Sequence, residues 1–189
     1  GESNSARSVM TCAIAGNCTG SRVLLVGPAG RWLVVASHSD ERNLVRLDLH
    51  TGRLDELRGH TRGVRDIAAD NDAGLLASAG WDNRLIVWEL QDCVIRHFFH
   101  LPNLMGGFGY IRYVAVGGGK VAVSQVHALL VYDAETGEVY DVIMEDRWGA
   151  GRPDQQRFPA SLSMQYVRAM KITSKGRWLV LATCDPQAD

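Results

Sequence analysis

The chain has 189 residues and carries 20 Lys and Arg against 21 Asp and Glu, which gives a formal net charge of −1. Its 46% hydrophobic and 22% charged residues are typical of a globular domain and exclude a disordered or collagen-like chain. The balanced charge argues against a dedicated nucleic-acid binder, which usually carries a basic surplus. No apolar run reaches the ~18 residues that a membrane span needs.

The start of the chain is polar and lacks the charged stretch and long apolar core of a secretory signal. There is no initiator Met, so we expect a processed or partial chain. The four cysteines form neither a CxxC pair nor a cluster at zinc spacing, and free thiols in a reducing compartment are the favoured interpretation. This predicts an intracellular protein, cytoplasmic or nuclear. A Cys12–Cys18 disulfide in a secreted protein is the alternative.

Beyond this start, short runs of β-branched and apolar residues between turn residues predict strands, with no convincing helix. The strands fall into groups of four, in residues 23–58, 59–99 and 100–143. Residues 144–163 are rich in charge, Gly and Pro and predict a long loop, and residues 164–189 hold two more strands. The predicted strands are Val23–Val26, Trp32–Ser37, Leu44–Leu49, Arg53–Arg58, Val64–Ala69, Leu75–Ala79, Leu85–Leu90, Val94–Phe99, Ile111–Val116, Val121–Ser124, Leu129–Asp133, Glu138–Ile143, Val167–Ile172 and Trp178–Thr183.

One local pattern recurs in every group: a glycine turn followed by a short apolar strand that ends in Ser or Thr. Gly30–Ser37 nearly copies Gly176–Thr183, and Gly74–Ser78 and Gly119–Ser124 follow the same plan. The first two intervals between these strand ends are close to the length of one four-stranded propeller blade. Mostly apolar strands suit sheets that are covered on both faces, so the groups predict a stack of blades.

The stretch from Gly59 to Glu89 makes this interpretation specific. It begins Gly59-His60, continues through Ser78-Ala79-Gly80-Trp81-Asp82 and ends Leu85-Ile86-Val87-Trp88-Glu89. This closely resembles one full repeat of the WD-repeat family, with Trp88-Glu89 in place of the terminal Trp-Asp. Leu47-Asp48 and Tyr132-Asp133 stand at that place in weaker neighbouring repeats.

The resemblance implies a structural hydrogen-bond tetrad of His60, Ser78, Asp82 and Trp88. In this tetrad Asp82 accepts from His60, His60 pairs with the Ser78 hydroxyl, and Ser78 pairs with the Trp88 indole N–H, so that each buried polar group has a partner. Ser, His and Asp also form catalytic triads, but this repeat uses them for structure, and we expect no enzyme. The other units are predicted to keep partial sets: Ser37 with Glu41, Ser124 with Tyr132, and Thr183.

The resemblance also implies a binding face, because propeller loops carry function on a rigid scaffold. In the family, the residue before the hairpin Asp often contacts partners, and here that residue is Trp81. With Arg62 and Arg65 it would suit an interface hot spot, where Trp and Arg predominate; packing of Trp81 on a neighbouring loop is the alternative. Phe108 and Trp148 lie in the two long interblade links and are predicted on the same face.

No other motif points to chemistry. His97 and His100 are three residues apart without a third metal ligand in view, and Gly117–Lys120 lacks the spacing of a phosphate loop. We therefore expect no metal and no cofactor.

Together these features predict an all-β protein, a β-propeller of four-stranded antiparallel blades with about three and a half blades present. Residues 1–22, with a strand at Val9–Ala15, are interpreted as the outer strand of another blade. The chain is then part of a larger, seven-bladed propeller that the missing segment or a second chain completes. The predicted function is a non-catalytic scaffold or adaptor that binds other proteins, for example in substrate recognition by a ubiquitin ligase. A propeller enzyme of quinoprotein type and a ribonucleoprotein subunit with contacts through Arg147, Arg152 and Arg157 are the alternatives; no membrane contact is expected.

Overall fold

The computed structural model describes residues 22–101, 111–126, 128–145, 157–158, 167–173 and 175–184. Regular structure in this part of the chain consists of strands and one short 3-10 turn at Pro28–Gly30. The strands are β1 (Arg22–Val26), β2 (Trp32–Ala36), β3 (Leu44–Asp48), β4 (Leu54–Glu56), β5 (Val64–Asp70), β6 (Leu75–Gly80), β7 (Arg84–Glu89), β8 (Val94–His100), β9 (Tyr113–Gly117), β10 (Lys120–Ser124), β11 (Ala128–Asp133), β12 (Val139–Glu145), β13 (Arg157–Phe158), β14 (Val167–Ile172) and β15 (Leu179–Thr183).

These strands form four sheets that follow one another along the chain. Blade 1 contains β1–β4, blade 2 contains β5–β8, blade 3 contains β9–β13 and blade 4 contains β14–β15. Strands that are consecutive within a blade pair antiparallel, with the exception of β13, which runs parallel to β12. Short strands joined by tight turns therefore produce the all-β architecture that the sequence predicts.

The predicted loop over residues 144–163 is the clearest correction. β12 continues to Glu145, and Arg157–Phe158 forms the short parallel strand β13 at the outer edge of blade 3. Two residues are too few to carry an alternating pattern, so only the pairing of their backbone identifies this strand. The other residues of that stretch lie outside the described part of the chain, as do residues 1–21.

The hydrophobic core is divided into layers that lie between successive blades. Alternate residues of a strand point to opposite faces of its sheet. On β6, Leu76 therefore packs toward blade 1, whereas Leu75 and Ala77 pack toward blade 3. A third cluster, which includes Ala122 and Leu129, joins blades 3 and 4. Each central blade is thus covered on both faces, and this explains why its two middle strands are mostly apolar.

The first strand of each blade lies at the inner edge of the stack, and these four strands line a cleft of about 530 Å³. Two carboxylates of β5 cross from blade 2 to blade 3 here. Asp66 accepts the Val114 backbone N–H at 2.9 Å, and Asp70 accepts the Gly118 backbone N–H at 3.0 Å. Because β9 pairs with β10 on its other side only, these carboxylates satisfy donors that an open strand edge would leave unpaired.

Blades 1 and 2 are joined by the buried side chain of Arg46 on β3. Its guanidinium donates to the backbone carbonyls of Leu90 and Gln91 in blade 2, and it pairs with Asp55 at 2.7 Å in its own blade. The hydrogen bond from Arg46 holds the pKa of Asp55 below its usual value. A charge buried at this junction therefore has both a counter-ion and backbone acceptors, the condition under which an arginine is tolerated in a core.

Substitution of Asp66 tests the carboxylate contact between blades 2 and 3. Asp66→Ala leaves the Val114 N–H without its acceptor and is expected to cost about 1–3 kcal/mol of unfolding free energy. Asp66→Asn keeps an acceptor oxygen and removes a buried charge, so its cost at neutral pH should be within about 1 kcal/mol. The ion pair that it loses, with Arg22 at 3.3 Å, involves a half-exposed arginine and contributes little.

The same pair of variants has a defined pH dependence. Burial raises the pKa of Asp66 above its ordinary value. The folded protein therefore binds more protons than the unfolded chain between these two pKa values, and the stability that Asp66 contributes falls as the pH rises through that interval. In urea unfolding from pH 4 to pH 8, the free energy of unfolding of Asp66→Asn should increase relative to that of the wild type as the pH rises. A difference that does not change with pH would contradict the assignment.

Candidate protein-binding face

The turn between β6 and β7 carries Trp81, Asp82 and Asn83, and its shape is set locally. The Asn83 N–H donates to the Gly80 carbonyl at 3.2 Å, and Asn83 adopts a left-handed conformation with φ of 59°, which asparagine tolerates better than most residues. The Arg84 N–H donates to Asp82 Oδ1 at 3.2 Å. This short turn therefore holds the Asp82 carboxylate inward.

Asp82 is one end of a continuous hydrogen-bond chain through blade 2. His60 Nδ1 lies 3.0 Å from Asp82 Oδ1, His60 Nε2 lies 2.8 Å from Ser78 Oγ, and the Trp88 indole N–H donates to Ser78 Oγ at 2.8 Å. A carboxylate only accepts, so Nδ1 carries the proton in the neutral imidazole, and Nε2 accepts from the Ser78 hydroxyl. The four residues that the resemblance implies are brought together in this arrangement.

The tetrad is buried and its electrostatics are set by hydrogen bonds. Burial opposes ionisation of Asp82, but the hydrogen bonds from His60 and from the Thr61 and Arg84 N–H groups outweigh it, so the pKa of Asp82 lies below its ordinary value. A Cβ at Gly80 would lie 2.5 Å from His60 Nδ1 and 2.7 Å from Asp82 Oδ1. A glycine at this position is therefore required for close packing of the tetrad.

The other blades do not repeat this arrangement in the way the sequence predicts. Tyr132 of β11 lies opposite Val121, as Trp88 of β7 lies opposite Leu76. Val123, and not Ser124, therefore corresponds to Ser78. The Ser124 hydroxyl instead accepts the Tyr113 N–H at 3.0 Å.

Blades 1 and 4 require the same correction. By strand register, the residues that correspond to Ser78 are Val35 and Leu181, whereas Ser37 and Thr183 correspond to Gly80. Aligning the strands on their terminal Ser or Thr misaligns them, because the strands extend different distances past the position that matches Ser78. These blades are held by apolar packing at the position where blade 2 has a serine.

Trp81 lies between two blades, half-buried. The Arg65 guanidinium lies over its ring at 4.9 Å from the centroid, and the His38 ring from the β2–β3 connection meets it edge-on at 6.1 Å. The Trp81 N–H donates to the Gly63 carbonyl at 2.9 Å. Trp81 therefore packs on a neighbouring loop and also keeps part of its surface open to solvent.

The link from β4 to β5 carries Arg62. Two side chains of blade 1 hydrogen-bond to the backbone of this link. Asn43 donates to the backbone carbonyls of His60 and Arg62, at 3.3 and 2.9 Å, and Asp40 accepts the Gly63 N–H at 2.8 Å. Asp40 makes this contact, while the neighbouring Glu41 that the sequence favoured is exposed. We call the surface formed by residues 37–43, 59–63, 65 and 81–83 the loop face; it presents the exposed Arg62 next to Gly63, whose carbonyl accepts the Trp81 N–H.

Sequence reasoning missed several residues of the loop face. His38, Asp40 and Asn43 are loop residues without a motif, and only the packing of blade 1 on blade 2 reveals their role. Phe108 and Trp148, the other two candidates, lie outside the described residues.

Within the described ranges, no group of three His, Cys, Asp or Glu side chains could hold a metal ion. In the same part of the chain, no helix is long and apolar enough to cross a membrane. The described cysteines, Cys93 and Cys184, are free thiols.

Comparison with known proteins agrees with this geometry. Residues 52–89 match the family described as WD domain, G-beta repeat. The chain is 31% identical over 77 residues to DDB1- and CUL4-associated factor 10 of Xenopus tropicalis, a match that covers 37% of this chain and 17% of the relative. It superposes on the β-propeller domain of Myceliophteria thermophila Cps50 (Swd1) with a TM-score of 0.64 and 17% identity, over 92% of this chain and 51% of that one.

The fold is thus that of a β-propeller, a class of proteins built from radially arranged antiparallel blades. The residues that match a WD repeat run from β4 of blade 1 to β7 of blade 2 and end at Trp88-Glu89. The chain spans about half the length of the propeller that it superposes on and a smaller share of the curated relative.

Proposed function

We propose that this chain is a non-catalytic adaptor that binds a protein partner through the loop face. The observation that carries the proposal is Trp81, a half-buried tryptophan that Arg65 stacks on. Its N–H donates to the carbonyl of Gly63, next to the exposed Arg62. Trp and Arg are the residues most enriched in interface hot spots. Backbone and side-chain hydrogen bonds from blade 1 hold the loops that carry them, so little order would have to be gained on binding.

A non-enzymatic role is supported by the burial and the hydrogen bonds of Ser78, His60 and Asp82. The Ser78 side chain is fully buried, and its hydroxyl lies between His60 and the Trp88 indole N–H. A nucleophile needs access to the scissile carbonyl and an oxyanion site beside it. Here the oxygen is occupied on both sides and no substrate can reach it, so this set stabilises the blade.

The first assembly to test is one that contains DDB1 and CUL4, in the cytoplasm or nucleus. The support is the printed name and 31% identity of the relative, together with the WD repeat at residues 52–89. Co-purification of purified DDB1, alone and with CUL4, on the immobilised chain is the measurement. Retention of DDB1 at equimolar stoichiometry would support membership of this assembly. If DDB1 is not retained, this assembly is excluded, and the loop-face proposal is unaffected.

Site-specific photo-crosslinking tests the loop face directly. A photoreactive amino acid at position 62 should crosslink a discrete protein in cells. The matched control is the same residue at position 58, where Arg58 is also exposed but pairs only with Glu56 at the outer edge of blade 1. Crosslinks that do not differ between the two positions would count against the loop face.

Once a partner has been identified, the double substitution Arg62→Ala, Trp81→Ala should weaken its binding by roughly 10- to 100-fold, as for truncation of hot-spot residues. The melting temperature should change little, because Arg62 is exposed and Trp81 is not part of the interblade core. Arg58→Ala is the control. Isothermal titration and thermal unfolding of the same samples separate lost binding from lost folding, and unchanged affinity of the double variant would overturn the proposal.

A further inference from the structure

We infer that the loop face takes an acidic peptide segment of its partner, with an apolar side chain against Trp81 and carboxylates at Arg62 and Arg65. This inference rests on the proposed function and adds the chemistry of the ligand.

The carboxylates of the loop face are already used within the protein. Asp40 accepts the Gly63 N–H at 2.8 Å, and Asp82 accepts from His60, Thr61 and Arg84. Asp66, at the start of the adjacent inner strand, accepts the Val114 N–H and pairs with Arg22 at 3.3 Å. Each of these carboxylates therefore already has a hydrogen-bond partner within the protein.

The arginines of the loop face, in contrast, have no carboxylate partner among the described residues. Among the described residues, no carboxylate lies within ion-pair distance of Arg62 or Arg65. Arg65 Nε is buried and, in that same part of the chain, has no hydrogen-bond acceptor. Arg65 as a whole is only partly buried, and a carboxylate bound to its guanidinium would form a strong charge-assisted hydrogen bond.

His38 lies beside Trp81 and close to Arg65. Burial, together with the positive charges of Arg65 and Arg22, lowers the pKa of His38 below its ordinary value. His38 touches the Trp81 ring edge-on. The centre of the loop face therefore combines an aromatic surface with a field that favours an anion.

The arginine position is also repeated along the inner strands. Arg65 is the bulge residue between Val64 and Asp66, and Arg168 is the bulge residue between Val167 and Ala169. Arg112, just before β9, donates its N–H to the Ser124 carbonyl and stands at the matching place of blade 3. An arginine thus recurs at the same end of three successive blades, so a segment that crosses the face would meet several of them.

A peptide fits these observations better than a nucleic acid does. The chain as a whole has a formal net charge of −1. A phosphodiester backbone is bound through an extended basic surface that neutralises many phosphates. A small set of guanidiniums around one tryptophan matches spaced carboxylates and one apolar anchor.

The test is selection from a random-peptide display library against the purified chain, with binding of the enriched peptides measured by fluorescence anisotropy in low-salt and high-salt buffer. We expect a pool enriched in Asp and Glu with at least one large apolar residue. Arg62→Glu should weaken its binding roughly tenfold or more, because it places like charges together. High salt should also weaken it, and the matched charge reversal Arg58→Glu should leave it unchanged. Single-stranded oligothymidylate is measured in parallel.

The outcomes separate this inference from the proposed function. Acidic peptides that lose binding in both Arg62→Glu and Trp81→Ala support it. Peptides that depend on Trp81 but are neutral or basic overturn it and leave the proposed function standing. Tighter binding of oligothymidylate at the same face overturns it as well. A pool that neither variant affects overturns both, provided that the melting temperatures of the variants match that of the wild type.

Discussion

Ser78→Ala is expected to lower the free energy of unfolding by about 2–5 kcal/mol, because it leaves two buried groups without partners. These are the Trp88 indole N–H and His60 Nε2, each 2.8 Å from the lost hydroxyl. An unsatisfied buried polar group costs about 1–3 kcal/mol. For a chain of this size the melting temperature should fall by roughly 5–15 °C. Urea unfolding followed by tryptophan fluorescence and circular dichroism gives the free-energy difference.

The matched control is Ser124→Ala. Ser124 is also fully buried, and among the described residues its hydroxyl hydrogen-bonds to the backbone of Tyr113 on the neighbouring strand. Its removal should cost about 1 kcal/mol. The double variant His60→Ala, Ser78→Ala should be less destabilised than the two single costs predict, because both changes interrupt one chain. Equal costs for Ser78 and Ser124, or strict additivity, would contradict a cooperative tetrad.

The second large effect is expected at the turn between β9 and β10, where blades 2, 3 and 4 meet. Gly118 and Gly119 are consecutive and both have positive φ, 54° and 76°. A Cβ at Gly118 would lie 1.9 Å from the Gly176 backbone nitrogen, whereas a Cβ at Gly119 meets nothing within 4 Å. Alanine at either position pays the left-handed backbone strain of about 1–2 kcal/mol, but only Gly118→Ala also forces blade 4 away from blade 3.

We therefore expect Gly119→Ala to cost about 1–2 kcal/mol and Gly118→Ala to cost at least about 3 kcal/mol. Limited trypsinolysis adds a local readout, since Lys171, Lys175 and Arg177 belong to the blade 4 hairpin and its turn. Cleavage there should be faster in Gly118→Ala than in Gly119→Ala. If the two variants had similar stabilities and similar cleavage rates, close packing of the β9–β10 turn against blade 4 would be contradicted.

Asp82 connects the tetrad with the loop face. Asp82 holds the turn that carries Trp81, and the Thr61 N–H donates to Asp82 Oδ2 at 2.8 Å, next to Arg62 in sequence. A single carboxylate thus connects the turn with the link that presents the arginine. The structural hydrogen bonds of the WD repeat stabilise the positions of the two residues that we propose to bind a partner.

The amino-acid sequence by itself determined the fold class and the blade order, and its resemblance to a WD repeat implied the tetrad. These depend on local properties: alternation and turn residues define short strands, and one nearly complete repeat contains all four tetrad residues within 30 positions of the chain. A local signal of this kind does not require knowledge of which strands become neighbours.

Only the tertiary structure decided the register, the interblade contacts and the shape of the loop face. Ser37, Ser124 and Thr183 were misaligned with Ser78. Ser124 lies one residue past the matching position and so occupies the opposite face of the sheet, whereas Ser37 and Thr183 lie two residues past it. Asp66 and Asp70 look like solvent-exposed strand residues until β9 lies beside them. The environment of Trp81 is formed by Arg65 and His38, which come from separate segments of the chain. Contacts between blades join residues that are distant in the chain, and no short pattern in a sequence records such a pairing.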